Sequence, residues 1–224
     1  MLKSAKRIIK GLFFKDSQNY YALLQGLRHG LLAQASMVLH IGAHKGTEAP
    51  MYNGLGLRVI WIEANPEIFT DLCQSIKEFS NQRAICGLLG EEDRDEVNFY
   101  IASNDGQSSS IYNFGNQMNH KGLSMMRNLK LPMKRLSSLL LNDEVLKGSH
   151  WVIDVQGAEL QVIRGAGTLI DNAYSLEIEV STKEEYAGGV RFEELNLELN
   201  KKGFFPLWEP KENSHEDIIF VRRC

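Results

Sequence analysis

From residue 37 onward, short apolar runs alternate with segments whose apolar residues recur at helical spacing. "MVLHI" at 37–41, "RVIWIE" at 58–63, "QRAICGLL" at 82–89, "HWVIDV" at 150–155 and "AYSLEIEV" at 173–180 are rich in branched and aromatic residues and predict strands. Between them, the segment after Gly46, "NPEIFTDLCQSIKEF" and "GAELQVIRGAGTLI" predict helices. The second of these carries a start signal, with Asn65 as N-cap, Pro66 at the first helical position and Glu67 in the first turn. "EVNFYIA" at 96–102 alternates as an added strand would, and "MKRLSSLL" leads into a short helix. The tail reads as a helix stopped at Gly203 and then two strands around a polar turn. Strands alternating with helices imply a right-handed, mostly parallel sheet. The expected fold is therefore α/β: one doubly wound, Rossmann-like sheet with helices on both faces and a C-terminal antiparallel hairpin.

Residues 1–36 read as a helical extension, weakened by Gly26 and Gly30, and residues 37–224 as the single α/β domain. "MLKSAKRIIKGLFFKD" is basic and amphipathic. Such a helix commonly packs on its own domain or on a second copy of the chain, and peripheral contact with an anionic membrane is its other use. It lacks the long apolar stretch and cleavage site of a secretory signal.

Composition narrows the partners. Lys and Arg total 25 against 28 Asp and Glu, so the formal charge of −3 gives no reason to expect nucleic acid. The three cysteines, Cys73, Cys86 and Cys224, show no C-x-x-C spacing, which fits reduced thiols in a cytoplasm rather than a disulfide framework or a zinc site. His40 and His44 are read as cleft-lining, with a satisfied buried histidine as the other reading of His40. Their H-x-x-x-H spacing spans a strand end and a glycine turn rather than one helical face, so no metal is expected.

In such a sheet the ligand lies beyond the carboxyl ends of the strands, where strand order reverses. That rule selects the turn Gly42, Ala43, His44, Lys45 and Gly46, the strand end Glu63 with Ala64 and Asn65, then Cys86 with Gly87, and Asp154. Glu63 lies 21 positions after Gly42, the offset at which a carboxylate reaches both hydroxyls of a ribose. The ligand thus contains an unphosphorylated ribose, as NAD and S-adenosylmethionine both do. A dinucleotide loop usually reads G-x-G-x-x-G, whereas this turn is G-A-H-K-G, which suits a ligand without a pyrophosphate.

Four stretches together resemble the FkbM family of methyltransferases: "VLHIGAHKGTEA", "WIEANP", "NDGQSSSIY" and "VIDVQGAELQVIRGA". The last is similar to the signature Asp-x-Glu-Gly-x-Glu followed by an apolar residue and Arg-Gly-Ala. The likeness runs from about residue 37 to the hairpin near 222, and residues 1–36 inherit nothing from it. It implies a class I fold, S-adenosylmethionine as cofactor, and methyl transfer to a hydroxyl of a sugar or glycosylated metabolite. Gln156 departs from the signature, standing where the family has its first Glu, and His40 stands where the family often has an acid or another polar residue.

Methyl transfer to an alcohol needs alignment and a group to take the proton. Asp154 is the first catalytic candidate, with cofactor binding or acceptor orientation as its other roles. His120, in the long polar loop 103–122, is the second. Ser108, Ser109, Ser110, Gln156, Glu159 and Tyr186 are the substrate-binding candidates. Trp61 and Trp151 lie within strands and read as core. Two rival readings remain open at this point: an NAD-dependent oxidoreductase, and a cofactor-binding module that has lost turnover, which Gln156 and His40 would favour.

Overall fold

A computed structural model describes residues 17–115, 122–141 and 144–222. The chain divides into two compact units, one ending at Gln34 and one beginning at Ala35. The first contains helix α1 (Ser17–Leu32), which runs unbroken through Gly26 and Gly30 and is closed by Gln34, whose Nε2 donates to the Gly30 carbonyl at 3.1 Å. Among the described residues no helix is long and apolar enough to cross a membrane.

The second unit is built on β1 (Val38–Ile41), β2 (Val59–Glu63), β3 (Gln82–Cys86), β7 (Ser149–Ile153), β8 (Ala173–Ser181), β9 (Phe204–Pro206) and β10 (His215–Arg222). These form a seven-stranded sheet in the order β3-β2-β1-β7-β8-β10-β9. The first five in that order are mutually parallel. β10 is antiparallel to both its neighbours and is inserted between β8 and β9. Every residue of β1, β2 and β7 is buried, which is why they read as continuous apolar runs.

One face of the sheet carries the main core, including Leu39, Ile41, Trp151, Ile153, Leu176 and Ile178, covered by α4 (Glu159–Gly165) and α5 (Phe192–Lys201). Fully burying side chains of this size contributes about 1.5–3 kcal/mol each. His40 belongs to the opposite face. It stacks on Trp61 at 4.8 Å and shares a 3.2 Å hydrogen bond with the Tyr52 hydroxyl, on the short helix α2 (Ala49–Gly54). Its ring is thus the satisfied buried histidine of the second reading and not a cleft-lining group. Asn65 caps α3 (Pro66–Ile76) as expected, accepting from the Glu67 N–H at 3.1 Å.

A second sheet was not foreseen. "QRAICGLL" is not one strand: after β3 the chain turns at Gly87, and β4 (Leu88–Leu89) joins β5 (Arg94–Ala102) and β6 (Met125–Lys134) in the order β4-β6-β5. β6 escapes sequence reading because six of its ten residues are exposed, without regular alternation from its start, and Pro132 interrupts it. That proline is tolerated opposite a register shift between Arg94 and Val97 of β5. Leu88, Phe99, Ile101 and Met133 form the small core of this sheet. The predicted helix over 157–170 likewise ends early, at Gly165, and continues as a 3-10 turn over Gly167–Asn172.

Candidate active site

Strand order reverses between β1 and β7, and their carboxyl ends open into a cavity of about 530 Å³. The turn after β1 has the geometry its glycines allow. Gly42 sits at φ +80°, and the N–H groups of Gly42 and Ala43 both donate to the Ile62 carbonyl, at 2.9 and 3.1 Å. This ties the turn to β2 and brings His44 over the end of that strand.

Glu63 is buried there, 7% exposed, at the cavity wall. Its Oε2 accepts from the His44 N–H and its Oε1 from the Asn65 N–H, both at 2.8 Å. Burial pushes its carboxyl above the usual range, and these two N–H donors pull it back down. Each oxygen keeps a further acceptor site. The result is a carboxylate locked in one orientation with both oxygens able to take hydroxyl hydrogens.

Of the residues singled out from sequence, Gly42, His44, Glu63, Ala64, Gly87, Ser108, Ser109, Asp154 and Gln156 line this cavity. The others do not. Ala43 is buried behind the turn, and a side chain on Gly46 would run into Leu72. Lys45 points outward to Asp105 at 2.7 Å and Asp71 at 3.4 Å. Asn65 is the helix cap described above. Cys86 is exposed away from the cavity, because successive residues of β3 face opposite ways and Gly87 takes the inner position. Ser110 is buried and donates its hydroxyl to the Gln156 carbonyl at 2.7 Å. His120 lies outside the described residues.

Glu159 and Tyr186 sit beneath the turn that carries Gln156. Oε1 of Glu159 accepts from the N–H groups of Val155 at 3.2 Å and Gly157 at 3.0 Å, so this residue braces the turn and does not face a substrate in the cavity. Burial raises its carboxyl to about 7. Tyr186 donates its hydroxyl to Oε1 of Gln156 and is itself 2% exposed. Gln156 adopts φ +57°, a left-handed conformation that costs a non-glycine residue about 1–2 kcal/mol. The bonds from Ser110, Glu159 and Tyr186 hold it there.

Strained, over-determined positions of this kind gather at functional sites. Here the constraint aims one amide. Nε2 of Gln156 lies 2.6 Å from Oδ1 of Asp154 and 2.5 Å from Oε2 of Glu179. Glu179 also lies 2.8 Å from Nε2 of His215, and both residues line the cavity. Sequence reading missed this pair. The available signal was an acid placed two residues before the end of an otherwise buried strand. Burial, and then the neighbouring Glu179, hold the Asp154 carboxyl well above the usual range.

The rest of the wall is apolar and comes largely from the second sheet, with Leu88, Leu89 and Phe99 facing Ile41 and Ile62. The loop after β5 supplies Gly106, Gln107, Ser108 and Ser109. It is clasped to the glycine turn by the Lys45–Asp105 pair and by a 3.1 Å contact between Nε2 of His44 and the Asp105 carbonyl.

Residues 40–206 match the methyltransferase FkbM domain family. A comparison with curated protein sequences found no match. Among solved structures, the chain is similar to Aeropyrum pernix fibrillarin in complex with natively bound S-adenosyl-L-methionine. The TM-score is 0.52 at 15% identity, over 91% of this chain and 74% of that one. It is also similar to magnesium protoporphyrin IX methyltransferase from Synechocystis PCC 6803 with bound S-adenosylhomocysteine. There the TM-score is 0.50 at 10% identity, over 92% of this chain and 82% of that one. At such identities the likeness is one of fold. The family match, the strand order and the glycine turn with its strand-end carboxylate agree, and the chain belongs to the FkbM methyltransferase family, whose methyl donor is S-adenosylmethionine.

Proposed function

We propose that this methyltransferase holds S-adenosylmethionine with its ribose on Glu63 and methylates a hydroxyl oxygen of a sugar or glycosylated small molecule. The observation that carries the cofactor's placement is the Glu63 carboxylate, buried at the cavity wall and fixed by two backbone donors at 2.8 Å. The residues around it fit the group. A cavity of about 530 Å³ is within the usual range for a small-molecule site. Ile62, Leu88 and Phe99 offer an apolar bed for a purine, and no pyrophosphate cradle is needed.

Bound there, the cofactor supplies an electrophilic methyl carbon on a positively charged sulfur. The chain's own work is to align the acceptor, exclude water and provide for a proton. Alignment falls to the polar end of the cavity, where Asp154, Gln156, Ser108 and Ser109 face inward. Ser109 already accepts from the Ala102 N–H at 3.2 Å and Ser108 from Asn104 at 2.9 Å, which leaves both hydroxyl hydrogens for acceptor oxygens. A run of such donors and acceptors suits the vicinal hydroxyls of a sugar. Water is excluded by the loop that Lys45 and His44 clasp.

The test begins with calorimetric titration of the protein with S-adenosylmethionine, S-adenosylhomocysteine and NAD. We expect the first two to bind and NAD not to. Methyl-labelled cofactor is then offered with a panel of methyl glycosides, and the product is identified by NMR. A methyl ether supports the reading. NAD binding alone, or a methyl group found on nitrogen or carbon, overturns it.

A further inference from the structure

We infer that Glu179, backed by His215, takes the proton of the acceptor hydroxyl, while Asp154 is its proton-bearing partner and orients the acceptor. This rests on the methyl-transfer reading above and names the residues that complete it.

The placement follows from the sheet. Glu179 is on β8, two residues before its end at Ser181, and β10 starts alongside it in antiparallel register, with His215 opposite Ser181 and Asp217 opposite Glu179. The insertion of β10 thus delivers His215 to the carboxyl end of a parallel strand. Side chains of Glu179 and His215 are 17% and 29% exposed, and both open on the cavity that Asp154 and Gln156 line. Among the described residues, the groups facing Glu179 include Asp154 from the end of β7, Gln156 from the turn beyond it, and His215 and Asp217 from β10.

Two carboxyls this close do not both ionise readily, so one proton is shared between them. The neighbours decide which one keeps it. Gln156 gives each carboxyl one amide hydrogen and so does not discriminate. His215 lies 2.8 Å from Glu179 and, among the described residues, forms no such pair with Asp154. Burial and the Glu179 charge favour the protonated form of Asp154. Asp154 is then an O–H donor hydrogen-bonded to Glu179, the wrong state for a base, and Glu179 is the carboxylate. In the reaction the acceptor oxygen's lone pair forms the new O–C bond. The C–S bond breaks with its electron pair left on sulfur, and the hydroxyl proton passes to Glu179. His215, at the cavity mouth, carries that proton on to solvent.

The test uses the full chain saturated with S-adenosylhomocysteine. Carbon-13 NMR of the carboxyl carbons at pH 7, assigned with Asp154→Asn and Glu179→Gln, reads the protonation of each without any acceptor. We expect Asp154 protonated and Glu179 ionised, and the reverse overturns the inference. In the second arm, Glu179→Gln and His215→Asn are expected to bind S-adenosylhomocysteine within about threefold of wild type. Methyl transfer to the acceptor glycoside should fall about 100-fold or more in Glu179→Gln and about tenfold in His215→Asn. Turnover of Glu179→Gln within about threefold of wild type would also overturn it. A wild-type protein that binds no S-adenosylhomocysteine would sink the cofactor reading instead. Binding with Glu179 protonated would sink this inference alone.

Discussion

A Cβ on Gly42 would stand 1.7 Å from the carbonyl oxygen of Asp154. The two strands that flank the switch point therefore leave the sheet with their backbones in contact, which ties the glycine turn to the Asp154 end of the cavity. Gly42→Ala must push these backbones apart and also place alanine at φ +80°. We expect a loss of about 3 kcal/mol or more, a melting temperature lower by about 6–12 °C, and loss of S-adenosylhomocysteine binding. Thermal denaturation checks this, and an alanine variant melting within about 2 °C of wild type would contradict it.

Glu63 has two duties, which two substitutions separate. Glu63→Ala removes the acceptor of two backbone donors as well as the proposed ribose contact. Glu63→Gln keeps one acceptor oxygen. Both should weaken S-adenosylhomocysteine binding by about 10- to 100-fold, since hydrogen bonds to a charged group contribute about 1.5–3 kcal/mol. Only the alanine variant should also lose substantial stability. Calorimetry beside thermal melting reads the two effects, and undiminished affinity in both variants would remove Glu63 from the ribose site.

Burial of Glu159 gives a pH dependence of known sign. Its folded-state carboxyl is raised to about 7 from the 4.5 usual for a glutamate. The folded state thus binds more protons than the unfolded one between those values, and stability falls as pH rises through that window. The span corresponds to a contribution on the order of 3 kcal/mol that is present below pH 4.5 and lost by about pH 7. Glu159→Gln should flatten the melting temperature between pH 5 and pH 8. An unchanged slope would mean that the carboxyl is not held protonated under the Val155–Gly157 turn.

Much of this site was legible because particular residues have only one good use. "VLHI" and "VIWIE" are buried on both faces and could hardly be anything but central strands. A glycine turn followed by Glu63 at 21 positions marks a proposed ribose end, and Asn65 before Pro66 fixes a helix start. Direction was harder. Gly42 and His44 face the cavity while Ala43 and Lys45, from the same motif, face away, and nothing in the spacing distinguishes them. Hardest was proximity created by topology. Glu179 and His215 are 36 positions apart and meet only because β10 runs back beside β8. The second sheet was hidden for a related reason, since Pro132 is acceptable only opposite the irregularity in β5.

Gln156 is where the chain departs from its family signature, and the geometry explains what glutamine does there. Its amide donates to Asp154 and Glu179 at once, and its oxygen accepts from Tyr186. A glutamate at that position has no amide hydrogens to give, so Gln156→Glu sets three carboxyls in mutual contact with no added positive charge. One further proton must then be taken up to relieve the repulsion. We expect a variant destabilised by about 2–4 kcal/mol at pH 8 and by clearly less at pH 5.5, where that proton is available. Gln156→Ala should lose a similar amount at both pH values, because its fault is missing donors and not added charge. Denaturant unfolding at the two pH values separates the cases. If Gln156→Glu is as stable as wild type at pH 8, the amide is not what holds Asp154 and Glu179 side by side.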